Sequence, residues 1–188
     1  MKTAVFIERD AILNEVRVGP KHQITPTSVA EFRLIPEALE PLNQLKAAGH
    51  LMIVTTNQPG VSRGTLPRRE LDRMHDLLRR FFPIDDLMLC THDEADRCPC
   101  RKPKPGLLIE AAFKWHIDLD RSFVISDKWQ DAEMARTAGC TSLLVQSPWI
   151  GPVHHDFILP ELASVVTKVI QLTGACTVPS RLSAVAAR

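Results

Sequence analysis

The feature that most limits what this chain can become is a fivefold alternation of short apolar runs with longer segments of helical period. The runs are Ala4-Val5-Phe6-Ile7, Leu51 to Thr55, Asp86 to Cys90, Ser122 to Ser126 and Ser142 to Val145. Nearly continuous apolarity over so short a length marks a strand buried on both faces. Between and after them, Pro36 to Ala48, Pro67 to Phe82, Pro105 to Trp115, Gln130 to Ala138 and Pro160 to Leu172 carry apolar residues at helical spacing, with proline at several starts and glycine after two ends. Strand and helix in strict alternation predict an α/β fold: a Rossmann-like three-layer sandwich with a mainly parallel sheet and right-handed crossovers.

Two stretches fall outside the alternation. Residues 14–35 show no sustained period, and Gly19-Pro20 and Thr25-Pro26 punctuate them, so they read as a loop region over the site. Residues 174–188 are small and polar without a period and read as a disordered tail, which leaves 1–173 as one domain. A chain of 188 residues is long enough to bury a real core in that domain.

The net charge of +1 gives no broad reason to expect nucleic acid or a membrane surface as partner. No apolar run reaches membrane-spanning length, and the start lacks the long apolar region of a signal peptide. The expected compartment is the cytoplasm and the expected partner a small molecule; a protein partner is left unknown.

In an open α/β sheet, ligands bind beyond the carboxyl ends of the strands. Four polar stations fall there: Glu8 with Asp10, Thr56-Asn57-Gln58, Arg101-Lys102, and Asp127-Lys128 with Asp131. Glu8 and Asp10, two residues apart on extended backbone, share a side. Facing carboxylates suit a hard divalent cation such as Mg2+ that also touches a phosphate, and a hydroxyl, backbone N–H groups and a lysine can hold phosphate oxygens. Singly each station reads as ordinary turn or helix-start chemistry; four in register are harder to dismiss.

A second cluster is Cys90-x-His92-x5-Cys98-x-Cys100. Four soft or borderline donors within eleven residues suit tetrahedral Zn2+, and four protein ligands imply a closed, structural site. Such a zinc-binding loop would staple the segment that presents Arg101 and Lys102. Asp93, Glu94 and Asp96 read as a solvated face, as do the arginines from Arg63 to Arg80. His154 and His155 read as surface residues, His22 as loop, and Trp115 and Trp149 as packing; Trp129 is placed to shape the pocket.

The ordered segments FIERDAILN, TTNQPGVSRG, CRKPKPG and ISDKWQDAE resemble the haloacid dehalogenase-like superfamily. Within it they are most similar to subfamily IIIA, the histidinol-phosphatase and heptose-bisphosphate phosphatase branch. The resemblance implies a fold without a large cap domain and Mg2+-dependent hydrolysis of a phosphomonoester, on a sugar phosphate or histidinol phosphate. It assigns Glu8 to the nucleophile position and Asp10 to the general acid and base. Glu8, the Asp10 carbonyl and Asp127 would ligate Mg2+, and Thr56 and Lys102 would hold phosphate. Arg101, Asn57 and Gln58 would contact substrate, and Lys128 would stand beside the metal ligand. The family pattern at the first station is D-x-D-G-T, where this chain has Glu8-Arg9-Asp10-Ala11-Ile12. The longer side chain moves the carboxylate by about 1 Å, a displacement that can cost roughly 100-fold in rate.

Overall fold

The computed structural model describes residues 1–20 and 23–174. Its framework is a six-stranded sheet, all parallel, in the order β5-β4-β1-β6-β7-β8. The strands in chain order are β1 (Ala4–Glu8), β4 (Leu51–Asn57), β5 (Asp86–Cys90), β6 (Phe123–Ser126), β7 (Thr141–Val145) and β8 (Phe157–Leu159). A separate antiparallel pair, β2 (Arg17–Val18) with β3 (Gln23–Ile24), lies between β1 and the first helix.

Alternation along each strand sorts the core into two sides. Val5, Ile7, Met52 and Val54 face α1 (Leu39–Ala47), α2 (Arg68–Phe81) and α5 (Leu162–Thr173). Ala4, Phe6 and Ile53 face α3 (Gly106–Trp115) and α4 (Trp129–Ala138). Successive residues of a strand point to opposite faces, so continuously apolar runs require helices on both. That is the three-layer arrangement the alternation predicts.

Three local expectations are corrected. Residues 14–35 are more than loop: they hold the β2–β3 hairpin, and Asn14 and Leu34 form a bridge. Pairing of only two residues per strand is too short to leave a periodic signal. The edge strand β8 was also not anticipated, because three residues after a Pro and His-rich stretch show no alternation. Finally, Pro36 to Ala38 form a 3-10 turn before the first α-helix proper. The predicted tail lies outside the described residues except for Gly174, and so does His22.

Two features of the sheet position chemistry. β1 is central, flanked by β4 and β6, and Glu8 is level with Thr55. At the other side of β4, Asn57 is level with Cys90, so the Cys-His segment begins where the Thr56-Asn57-Gln58 station does. Gly106, which opens α3, seats that segment. A Cβ there would stand 2.7 Å from the Pro99 carbonyl carbon and 2.9 Å from the Cys100 Cα, so the loop needs a glycine beneath it.

Candidate active site and the Cys-His cluster

All four stations converge on one cavity of about 540 Å3. Its lining includes Glu8, Asp10, Gln23, Asn57, Gln58, Arg101, Lys102, Lys128, Trp129 and Asp131. The floor is a buried ionic network. Lys102 Nζ donates to Glu8 Oε2, to the Thr55 carbonyl at 3.0 Å and to Asp131 Oδ1 at 2.6 Å. Its three hydrogens are thereby used. Glu8 Oε1 accepts from the Asp10 amide at 3.0 Å, and Lys128 Nζ stands 3.9 Å from the same oxygen.

Asp10 is held just as closely. Its Oδ1 accepts from Arg9 Nη2 at 2.7 Å and Asn14 Nδ2 at 3.1 Å, and its Oδ2 from Gln58 Nε2 at 2.8 Å. Arg9 points away from the cavity and is wholly buried, with Nη1 3.3 Å from His75 Nε2 on α2 and its guanidinium over the Phe32 ring. Burial, then the charge of Arg9, pushes His75 down to about 3. The ring is therefore neutral and its Nε2 accepts from the guanidinium.

Four carboxylates (Glu8, Asp10, Asp127, Asp131) meet three cations (Arg9, Lys102, Lys128) in the buried network, which carries a formal charge of −1, with Arg101 outside it at the rim. The excess falls unevenly. Burial works against an ionised Glu8, but Lys102 and then Lys128 outweigh it and hold the carboxyl below its ordinary range. For Asp10, burial is likewise outweighed by Arg9 and Lys128. Burial raises Asp131, which shares Lys102 with Glu8. Burial also raises Asp127, to about 6, against the pull of Lys128 and a hydrogen bond from Gln23. Asp127 Oδ1 is buried without a hydrogen-bond partner, with Lys128 Nζ no closer than 4.0 Å. Hard oxygen donors, surplus negative charge and an unpartnered buried carboxylate oxygen together fit a small divalent cation.

Some predicted residues are placed differently from their expected tasks. The Asn57 side chain clasps the Lys102 backbone, accepting from its amide at 3.2 Å and donating to its carbonyl at 3.4 Å. Gln58 gives its amide hydrogens to Asp10 and to the Thr56 hydroxyl, the latter at 2.8 Å. Thr56 is buried below the cavity wall. Both amides thus brace the cavity from inside, although both also line it. Arg101 reaches the rim and donates to the His92 carbonyl.

In the second cluster, the ligand atoms of Cys90, His92, Cys98 and Cys100 all lie within 4.8 Å of one another. Cys90 Sγ is 3.7 Å from Cys98 Sγ and from His92 Nδ1; Cys100 Sγ is 3.4 Å from Cys98 Sγ and 3.3 Å from His92 Nδ1. Tetrahedral zinc with ordinary bond lengths requires edges of about 3.8 Å between sulfurs and about 3.5 Å between sulfur and nitrogen. The spacing is compatible with a zinc-binding site. Burial, then the neighbouring sulfurs, pushes the Cys100 thiol up to about 12; a coordinating dication would deprotonate it. Within this loop Asp93 is not simply solvated. It caps the turn at Glu94–Asp96 and pairs bidentately with Arg63, which lies outside any helix at the cavity rim. Trp149, expected to pack, also lines the cavity.

Comparison with known proteins decides the family. The chain is 34% identical over 142 residues to the D-glycero-beta-D-manno-heptose-1,7-bisphosphate 7-phosphatase of Pasteurella multocida (strain Pm70), covering 70% of this chain and 74% of that protein. The chain belongs to the HAD-like hydrolases. It falls in their heptose-bisphosphate phosphatase branch. The Salmonella typhi relative of the same name is 31% identical over 183 residues, covering 88% of this chain and 94% of that protein. The HAD-hydrolase-like family model matches residues 99–151. Among solved structures, the D,D-heptose 1,7-bisphosphate phosphatase from B. bronchiseptica, complexed with magnesium and phosphate, superposes with a TM-score of 0.78. It is 27% identical, over 92% of this chain and 99% of that one. A putative HAD-like phosphatase from Mesorhizobium loti gives a TM-score of 0.72 at 28% identity, over 91% of this chain and 87% of that one.

The HAD-like motifs account for the strand ends, but Arg9, Asn14, Gln23 and His75 were missed by sequence reasoning. One signal existed. An arginine between two carboxylates at the end of an apolar strand must point to the opposite side, into the core, and so needs a buried partner. Gln23 and His75 carried no comparable signal. Ala11, in the turn after Asp10, sits at φ +68, a left-handed conformation in which glycine is at ease and alanine is not. Ile12 is buried and packs into the core.

Proposed function

We propose that this chain is a Mg2+-dependent phosphatase-type hydrolase of a small phosphorylated sugar, working through Glu8. The observation that carries the reading is the convergence of Glu8, Asp10, Lys102 and Lys128 on one cavity at the sheet's carboxyl edge, with Asp127 buried beside Lys128. The Glu8 carboxylate attacks phosphorus while Asp10 gives a proton to the departing sugar oxygen. Asp10 then takes a proton from water, which attacks the acyl phosphate and frees Glu8 and inorganic phosphate. Glu8, the Asp10 carbonyl and Asp127 would hold Mg2+, which supplies charge neutralisation at the phosphoryl oxygens when bound. Lys102 and Lys128 carry the remaining positive charge, and Arg101 at the rim meets the body of the substrate, with Thr56, Asn57 and Gln58 bracing the wall. Zn2+ on Cys90, His92, Cys98 and Cys100 fixes the loop that delivers Arg101 and Lys102.

Asp10 is better prepared for one half of this cycle than for the other. Arg9, Asn14 and Gln58 hold it as a carboxylate, which suits the base. Its service as an acid depends on an arriving phosphate dianion to raise its proton affinity.

One observation supports a second reading, a protein that binds a phosphorylated metabolite without turning it over. Both Glu8 oxygens are engaged, by Lys102 and by the Asp10 amide, and Ala11 strains the turn beside them. The deciding experiment measures phosphate release from heptose bisphosphate, other sugar phosphates and histidinol phosphate, with Mg2+, for the natural chain and for Glu8→Asp. The hydrolase reading expects slow release by the natural chain and an increase of roughly 100-fold in Glu8→Asp. Thermal stabilisation by these compounds without release from either protein would support the binding protein and sink the hydrolase.

A further inference from the structure

The hairpin over the site makes one hydrogen bond to the strand-end stations. Gln23 Nε2, on β3, donates at 2.5 Å to Asp127 Oδ2, across 104 residues of sequence. Among the described residues, no other side chain of the segment from Arg17 to Thr27 reaches these carboxylates. Asp127 is then divided: Oδ2 is taken by Gln23, and Oδ1 is buried without a hydrogen-bond partner. The orientation of the amide follows from its partner. An ionised carboxylate only accepts, so the NH2 end of Gln23 must face it and the carbonyl end must face away. That carbonyl, Gln23 Oε1, is itself buried and has no donor among the described residues.

We propose that Gln23 is a positioning residue for Asp127, fixing which carboxylate oxygen is offered to the cation. The inference rests on the reading of Asp127 as a Mg2+ ligand. A buried carboxylate oxygen with no partner among the described residues is costly in a protein interior. Oδ1 is satisfied if it receives the cation, and the bond from Gln23 to Oδ2 keeps it turned that way. Mg2+ is small, takes carboxylates by one oxygen and keeps several of its waters. Partners that orient a metal ligand typically affect metal affinity by 10- to 100-fold. Without Gln23, nothing else among the described residues holds Oδ2, and Asp127 is free to turn toward Lys128.

The test uses the full-length protein without substrate, titrated with Mn2+ as the probe and read by electron paramagnetic resonance. Gln23→Ala and Gln23→Leu should each weaken Mn2+ binding by about tenfold, with unchanged circular dichroism. Arg17→Ala, on the paired strand, should leave it unaltered. Asp127→Asn should weaken binding by itself, and adding Gln23→Ala to it should cost nothing further, since the two act as a unit. Mn2+ affinity at the wild-type level in both Gln23 variants overturns the proposal, most plainly if the hairpin has meanwhile become sensitive to protease. Gln23 would then anchor the hairpin and nothing more. Failure of the unaltered protein to bind Mn2+ overturns the cation reading of Asp127 along with it, so the two failures are told apart.

Discussion

The Cys-His cluster and the carboxylate site begin on neighbouring strands, yet they are built in opposite ways. The first draws its four donors from one stretch, Cys90 to Cys100, on a loop seated against Gly106. The second draws its charges from positions as far apart as Glu8 and Asp131, brought together only by the sheet order. The first is half open to solvent, with thiols and an imidazole as its donors; the second is buried and its network carries surplus negative charge. A local cluster stands or falls with its own ligands. A distributed one can lose a member and keep its scaffold, because each remaining group is held by several others.

The contrast can be tested from its strongest consequence downward. Purified protein should carry one equivalent of Zn2+ per chain by metal analysis. Stripping it with a chelator should lower the melting temperature by on the order of 10–20 °C, since four converging donors without a dication leave the loop unsupported. A melting temperature unmoved by metal removal would end the structural role given to the cluster. Next in size is Lys102→Met. It leaves Glu8 and Asp131 as buried carboxylates with their shared cation gone, and breaking such a pair costs about 3–5 kcal/mol, or about 10 °C. Urea unfolding of the variant provides the check; a loss below about 1 kcal/mol would show that the network relaxes by taking up protons.

Asp127 offers an effect of the other sign. Burial raises its pKa from the ordinary 3.8 to about 6. The folded state therefore holds this proton where the unfolded state has released it, and stability falls as pH rises from about 4 to about 6. In magnesium-free buffer at pH 7.5, Asp127→Asn should be more stable than the natural chain by about 2–3 kcal/mol. The gain should disappear at pH 4, where Asp127 is protonated in the folded state, and Mg2+ should stabilise only the natural chain. Smallest is Ala11→Gly. Relief of a left-handed alanine is worth about 1–2 kcal/mol, offset in part by the freedom glycine adds to the unfolded chain. A net gain of about 0.5–1 kcal/mol, read as a rise of about 2–3 °C, is expected. A destabilised Ala11→Gly would mean that the turn owes its shape to the packing of Ile12 and not to a local strain.

The two clusters also differ in how openly the sequence announced them. Four metal-binding side chains in one loop could be read from spacing, and the geometry agrees with that reading. The stations at the strand ends were legible because buried parallel strands advertise themselves and ligands gather at their carboxyl ends. What spacing does not show is which polar atoms use one another up. Asn57 and Gln58 read as substrate contacts, but their amides are engaged with Lys102, Asp10 and Thr56. Arg9 and His75 meet 66 residues apart in the core, and Gln23 meets Asp127 through a hairpin too short to show a period. Long-range polar pairing leaves no trace in local pattern.

The turn at Ala11 has one more consequence, in the language of codons. The backbone there keeps a positive φ although its residue has a Cβ. Any alanine codon becomes a glycine codon by one base change, and glutamate and aspartate codons are likewise one base apart. Both positions, 8 and 11, are thus within single-base reach of a selection for phosphate release.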